Sequence, residues 1–445
     1  MNLFRHLQKR CSEGRPLRIG LIGAGKFATM FFAQARRLPG IHLVGVADLS
    51  PDTARSNLAL AGWPEERISA ASLDAALQGG ATHVCDDAGV VIAHPAVDIV
   101  IECTGNPVAA TAHILSAFEH GKPVINVTVE ADAFLGYGLA QRAEAAGVVY
   151  SMAYGDQPAL VCDLVDWARA CGFEISAAGR GHKWLPKYRK STPETVWDHW
   201  GLTPEQAARG RLNPKMFNAF LDGSKPAVES AAIANACGLD VPEAGLAYPP
   251  GSIDDIPSLM RPLSDGGVLA KRGMVEVISA LTPDGSEIPY HIRNGVWVCI
   301  HGDTDYVRNC FEEYAVATDP SGGYACLYKR WHMIGLELGI SVASVGCRGE
   351  ATGAATGFHA DVVAVAKRDL AIGEVLDGEG GYTVAGGLRP AAASVAQGLL
   401  PLGLASGVAL KRAIPDGSPV RWADVDVDET TAAARLRREI EADAR

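Results

Sequence analysis

The stretch LRIGLIGAGKFATMFFAQARRLPGIHLVGVAD, Leu17 to Asp48, decides the fold. Leu17, Ile19, Leu21 and Ile22 make a short apolar run, the mark of a strand buried on both faces. Gly23-Ala-Gly25-Lys-Phe-Ala28 follows, a G-x-G-x-x-A turn. Gly23 permits the tight bend, and Gly25 lets the backbone approach a pyrophosphate because no Cβ intervenes. Ala28 lets the next helix, about Phe27 to Leu38, pack against the sheet and aim its N-terminal N–H groups at phosphates. A second apolar run, Ile41 to Ala47, ends in Asp48, where a carboxylate binds ribose hydroxyls and repels a 2′-phosphate. This order of strand, turn, helix, strand and acid predicts an N-terminal Rossmann unit for NAD rather than NADP.

Composition narrows the rest. The chain has 445 residues, room for two or three domains, with 48% hydrophobic and 20% charged residues. A net charge of −11 argues against nucleic acid and anionic membranes as partners. No apolar run reaches the roughly 20 residues of a membrane span, and the N-terminus reads as a short amphipathic helix rather than a signal peptide. Ten scattered cysteines without a C-x-x-C pair fit reduced thiols and a cytoplasmic location. Cys103, beside Thr104 and Gly105, could be a nucleophile, but a small buried residue is the better reading.

Along the chain, Val97–Glu102, Gly121–Asn126 and Val148–Ala153 read as further strands, with helices over Val108–His120 and Ala131–Gly147 between them. This is the alternation of a doubly wound parallel sheet. The Thr104-Gly105-Asn106 turn and Thr128 lie at strand C-termini, where such sheets bind ligands. The cofactor-binding set is therefore Gly23, Gly25, Lys26, Phe27, Asp48, Thr104, Gly105 and Thr128. Residues 1–160 form this domain. Residues 161–355 form an α+β substrate and oligomerisation domain with an antiparallel sheet from Gly273–Ala280 and Gly295–His301. A long helix over Tyr328–Val345 returns to the first domain. Residues 356–445 form a small β-rich appendage with a charged terminal helix.

Three clusters could do chemistry. Arg180, His182, Lys183, Lys187, Arg189 and Lys190 make a cationic loop suited to a carboxylate or phosphate, with His182 and Lys183 nearest the strand end. Lys225 and Glu229, spaced i,i+4 on one helix face, make a proton-transfer pair. Asp156 with Gln157, plus Glu130, could bind a substrate hydroxyl or a divalent metal. His332, on the late helix, is a further candidate for the substrate. Lys183, Lys225, Glu229 and Asp156 are the catalytic candidates, and His182, Lys187, Glu130 and His332 the substrate-binding ones. Spacing identifies no metal ligands.

The order of Rossmann unit, Thr-Gly-Asn turn, Gly121-Lys-Pro-Val-Ile-Asn126 strand and returning helix resembles homoserine dehydrogenases. Gly223-Ser-Lys225-Pro-Ala-Val-Glu229 has their i,i+4 spacing with the charges exchanged. The chain is more similar to a subfamily of that fold with a SAF-type β domain at its C-terminus. That subfamily includes 1-deoxy-D-xylulose 5-phosphate reductoisomerase-like proteins and D-apionate oxidoisomerases. Asp222-Gly-Ser-Lys-Pro-Ala, Gly273-Met-Val-Glu-Val, His332-Met-Ile-Gly-Leu-Glu337, Gly349-Glu-Ala-Thr-Gly353 and Leu376-Asp-Gly-Glu-Gly-Gly381 carry the resemblance. It implies hydride transfer coupled to carbon-skeleton rearrangement of a sugar acid or sugar phosphate, a divalent ion, Mg or Mn, gripping the α-hydroxy acid, and a homodimer or homotetramer.

Asp48-Leu-Ser-Pro-Asp52 favours the NAD-linked member, a D-apionate oxidoisomerase giving a 3-oxo acid. On this reading Lys225 or Lys183 polarises an oxygen, and Glu229 or Asp156 takes the proton. The alternatives are an NADPH-dependent sugar-phosphate reductoisomerase and a non-catalytic NAD sensor.

Overall fold

The computed structural model describes every residue except Met1, Arg211 and Arg445. The chain divides into two compact units: Met1–Leu160 with Met333–Ala355, and Val161–His332 with Thr356–Arg445.

The first unit is built on a six-stranded sheet. Its strands are β1 (Leu17–Ile22), β2 (Ile41–Ala47), β3 (His83–Cys85), β4 (Ile99–Glu102), β5 (Val124–Asn126) and β6 (Tyr150–Met152). The order β3-β2-β1-β4-β5-β6, parallel throughout, is that of a doubly wound Rossmann sheet. β3 is too short to stand out in the sequence. Phe31 and Phe32 on the helix Lys26–Ala35 are 0% exposed and join Leu21, Ile101 and Val342 in one core. Each such side chain stabilises the unit by about 1.5–3 kcal/mol.

The long helix expected over Tyr328–Val345 does not form. A strand, β10, occupies Tyr324–Lys329, and the helix runs only from Gly339 to Arg348. Gly335 accounts for the break. It takes a left-handed φ of 75°, and a Cβ on it would meet Met30 Cβ and the Phe27 carbonyl at 2.8 Å. Helix-breaking geometry is needed there for close packing within the first unit. His332 therefore sits on irregular backbone, with its Nδ1 2.7 Å from the Asn294 carbonyl oxygen.

The second unit contains a mixed sheet, not the antiparallel one expected. Its strands are β7 (Glu174–His182), β8 (Met274–Ser279), β9 (Val296–His301) and β10, in the order β10-β9-β7-β8. β7 pairs with β9 antiparallel but with β8 in parallel. The glycines of β7 make this possible. A Cβ on Gly179 would lie 1.9 Å from the Glu276 carbonyl oxygen, and one on Gly181 2.1 Å from that of Ile292. The same unit holds the small strands β11 (Ala360–Ala366), β12 (Val375–Asp377), β13 (Val384–Pro390) and β14 (Ser406–Ala409), paired antiparallel as β11-β13 and β12-β14. Arg437 on the terminal helix Ala432–Asp443 is fully buried. It pairs with Asp361 of β11 and, at 2.8 Å, with Glu441.

Candidate functional site

The nucleotide loop lies in the first unit. Gly23 has φ 90°, and a Cβ there would fall 2.8 Å from the Cys103 carbonyl and Thr104 Cα. Only glycine fits that crossing between the ends of β1 and β4. At Gly25 a Cβ would meet nothing within 4 Å, so the loop backbone faces open space. Lys26 is exposed and Phe27 half-buried at the start of the helix. Asp48, half-buried at the end of β2, accepts the Ala24 N–H at 2.7 Å and the Ser50 N–H at 2.8 Å. The carboxylate expected to hold ribose hydroxyls thus also fixes the loop.

Beside it, Glu102 is fully buried and acts as a collector. Its Oε1 accepts the Thr104 hydroxyl at 2.6 Å, and its Oε2 the Thr128 hydroxyl at 2.6 Å. Thr128 Oγ1 in turn accepts the Gly105 N–H at 3.0 Å. Three of the cofactor-binding candidates are therefore positioned by one carboxylate that sequence reading passed over. A second buried network joins Asp132 to Tyr150 (2.7 Å) and Asn126 (2.8 Å). Burial raises the Asp132 carboxyl to about 7, against the pull of those two hydrogen bonds, with Asp156 and Glu130 adding repulsion. Asp156 is itself buried, and its Oδ1 accepts the Gln157 N–H at 2.8 Å. Glu130 is half-buried in the first turn of the helix Val129–Ala145. Cys103 donates its thiol to the Gly23 carbonyl at 2.8 Å, and burial pushes its pKa well up, as a packing role requires.

The polar centre of the second unit surrounds the head of the helix Ser224–Cys237. The expected cationic loop is not one surface. β7 runs on through His182, so Arg180 and His182 are each only 3% exposed. Arg180 forms an ion pair with Glu229, and the carboxylate expected to partner Lys225 is taken. Lys225 is half-buried one turn earlier on the same helix. His182 Nε2 donates to the Phe220 carbonyl at 2.7 Å, which leaves Nδ1 as the lone pair facing Arg180 Nη2 at 3.5 Å. Burial first, then the Arg180 charge, hold this imidazole neutral. Lys183 donates to the His199 carbonyl at 2.8 Å and lies 5.7 Å from the centre of the Trp200 ring. Burial and the Arg293 charge lower its pKa. Lys187 and Lys190 are exposed, the latter paired with Asp416.

Sequence reading missed two further members. Asp222 is fully buried and pairs with Lys367 at 3.0 Å, 145 residues away, while its Oδ1 accepts the Ser224 N–H at 2.9 Å. Glu276 of β8 is buried and accepts the Val277 N–H at 2.8 Å and the Ala247 N–H at 3.1 Å. Burial still raises it to about 7. Both residues lie in phrases quoted for the family resemblance, but their distant partners, Lys367 for Asp222 and Ala247 for Glu276, leave no local pattern that marks them as site members. No group of three or more His, Cys, Asp or Glu converges as a metal site among the described residues. No helix among them is long and apolar enough to cross a membrane.

Comparison with known proteins matches three segments. Residues 20–152 match the homoserine dehydrogenase NAD-binding domain, 155–338 the oxidoreductase DRL catalytic domain, and 361–426 the SAF domain. No curated protein matches the chain. Among solved structures, one described as an oxidoreductase from Magnetospirillum magnetotacticum MS-1 is 20% identical, covering 65% of this chain and 75% of that one, with a TM-score of 0.34. Myo-inositol dehydrogenase from Lactobacillus casei, in complex with NAD(H) and myo-inositol, is 13% identical over 42% of this chain and 52% of its own, TM-score 0.28. 1-Deoxy-D-xylulose 5-phosphate reductoisomerase from Zymomonas mobilis, in complex with NADPH, is 14% identical over 49% and 57%, TM-score 0.33. Overlaps this partial carry no argument about the reaction. The glycine loop and the three matched segments make the chain an NAD(P)-dependent oxidoreductase whose successive segments are similar to a homoserine dehydrogenase NAD-binding domain, a DRL catalytic domain and a SAF domain.

Proposed function

We propose that the protein is an NAD-linked oxidoisomerase of a branched sugar acid, of the D-apionate to 3-oxo-isoapionate type. The observation that carries the cofactor choice is Asp48. Its carboxylate, fixed by the Ala24 and Ser50 N–H groups at the end of β2, supports NAD because a negative charge there would repel a 2′-phosphate. Gly23, Gly25, Lys26, Phe27, Thr104, Gly105 and Thr128 complete the dinucleotide site in this reading. When bound, NAD accepts the hydride that leaves the carbinol carbon.

The acid–base work falls to side chains. Lys183, its pKa lowered by burial and by Arg293, suits proton transfer near neutrality better than an ordinary lysine. Lys225 and Asp156 keep the roles of oxygen polariser and base. Glu229 is reassigned: held by Arg180, it positions that guanidinium rather than taking a proton. His182, Lys187, Glu130 and His332 remain substrate-binding proposals, together with the division into residues 1–160, 161–355 and 356–445. A cytoplasmic homodimer or homotetramer completes the proposal.

The test is a screen of polyhydroxy acids that follows NADH absorbance, with and without Mg²⁺ or Mn²⁺. NADH formation with a branched sugar acid is the expected result. Tight NADPH binding with poor NADH binding, and turnover of 1-deoxy-D-xylulose 5-phosphate alone, would overturn it.

A further inference from the structure

Two arginines of the second unit stand together without a counter-ion. Arg189, in the turn Pro186–Lys190, is half-buried and donates its Nη1 to the carbonyls of Asp222 (3.1 Å) and Gly386 (2.9 Å). Arg389, on β13, is half-buried and donates its Nη1 to the Leu388 carbonyl at 2.8 Å. Neither pairs with a carboxylate among the described residues. Both guanidinium groups flank buried Gly387: a Cβ there would lie 2.8 Å from Val365 Cγ2, 3.7 Å from Arg189 Nη2 and 3.8 Å from Arg389 Nη1. Burial and the Arg189 charge together depress the pKa of Arg389. Like charges held this close in a half-buried place are unfavourable unless an anion joins them.

Further donors point into the same neighbourhood at Gly223. This residue, φ 85°, caps the helix Ser224–Cys237. The position of its missing Cβ is 3.2 Å from Tyr248 Oη, 3.3 Å from Arg189 Nη1 and 3.5 Å from Trp184 Nε1. Tyr248 is only 8% exposed, and its one hydrogen bond among the described residues is from its backbone N–H to Glu276 at 3.4 Å. Its hydroxyl has no hydrogen-bond partner among the described residues. Its backbone is held at φ 51°, a strained region for a side chain this large, and its ring stacks on Trp184 at 4.2 Å. Trp184 Nε1 is buried without an acceptor. The nearby carboxylate of Asp222 is occupied by Lys367 and Ser224.

The Trp184 indole N–H and the Tyr248 hydroxyl can both donate here, and a helix N-terminus adds partial positive charge. We propose that Arg189, Arg389, Tyr248 and Trp184 form an oxyanion subsite that takes the acidic end of the substrate. The SAF-matched segment thereby supplies a substrate-binding residue, Arg389, to the DRL-matched segment. The identification of that end as a carboxylate rests on the sugar-acid reading, whereas the subsite's chemistry would equally receive a phosphate.

The test is titration of the full-length protein with D-glycerate and with inorganic phosphate, read by tryptophan fluorescence, alongside erythritol as an uncharged control. Tyr248→Phe removes one oxygen that has no partner, so its thermal midpoint should match wild type. Its affinity for the bound anion should fall about tenfold. Arg389→Met should weaken binding further, and if that variant fails to fold, Tyr248→Phe decides. D-glycerate binding that both variants weaken supports the subsite and the sugar-acid reading together. Phosphate binding weakened in the same way, without D-glycerate binding, keeps the subsite and defeats the sugar-acid reading. Binding of neither anion to wild type, or affinities unchanged in Tyr248→Phe, overturns the subsite whatever the enzyme turns over.

Discussion

The nucleotide loop of the first unit and the polar centre of the second are built by opposite means. The loop is made of backbone. Gly23 and Gly25 create it by lacking side chains, and one carboxylate, Asp48, braces it from 24 residues away. The centre at the head of the Ser224–Cys237 helix is made of side chains from β7, β8, the helix itself and β11's flank. Arg180 meets Glu229, and Asp222 meets Lys367, deep in the unit. A backbone site tolerates change wherever side chains point outward. A site of buried charges depends on each partner, because removing one leaves the other uncompensated. The two regions should therefore fail differently when mutated.

The largest effect expected is at Glu229. Glu229→Ala leaves the Arg180 guanidinium buried without its carboxylate, which should lower stability by about 3–5 kcal/mol. Urea unfolding followed by circular dichroism measures it. The double variant Arg180→Met with Glu229→Leu should recover most of the loss, since no charge then remains to be paired. A cost below about 1 kcal/mol for Glu229→Ala would place the pair among weakly coupled surface pairs and erase the contrast.

That contrast also explains what could be read from the sequence. The parallel sheet, the glycine turn and Asp48 follow from contiguous residues with fixed periods, so they were visible at once. Arg180 and His182 read as loop cations because they open a run of six basic residues past an expected strand end, flanked by Gly179, Gly181 and Pro186. Those glycines instead admit the carbonyls of Glu276 and Ile292 beside β7. The helix expected over Tyr328–Val345 is broken at Gly335, whose left-handed backbone answers to a neighbour 305 residues earlier, Met30. Lys367, Tyr248 and Arg389 carry no local signal, because their meaning lies in partners that only the folded chain brings near.

The second prediction separates the roles of the two loop glycines. Gly23→Ala forces a Cβ to within 2.8 Å of the Cys103 carbonyl at φ 90°, so it should both destabilise the first unit by about 1–3 kcal/mol and abolish NAD binding. Gly25→Ala meets no atom of the protein. It should melt like wild type yet bind NAD at least about tenfold more weakly, a loss of about 1.4 kcal/mol, measured by calorimetry. Wild-type NAD affinity in Gly25→Ala would mean that the loop is only a turn.

The smallest effect concerns a feature the regions share, a buried carboxyl raised to about 7: Asp132 in the first, Glu276 in the second. The sign follows from linkage. Each folded group holds a proton that its unfolded counterpart releases near its ordinary value, 3.8 for Asp132. Folding therefore takes up protons between about pH 4 and pH 7. Stability should fall as pH rises through that window, by up to about 1.4 kcal/mol per pH unit for each group, and level off above it. Asp132→Asn keeps the shape and an acceptor for Tyr150 while removing the titration. Amide hydrogen exchange, corrected for its intrinsic pH dependence, should then lose its pH slope in β5 and β6 but keep it in β8. A slope unchanged in β6 would mean that Tyr150 and Asn126 hold Asp132 ionised despite burial. The two regions would then differ in how they pay for a buried carboxyl, the first with side-chain donors strong enough to keep its charge, the second with backbone N–H groups that are not.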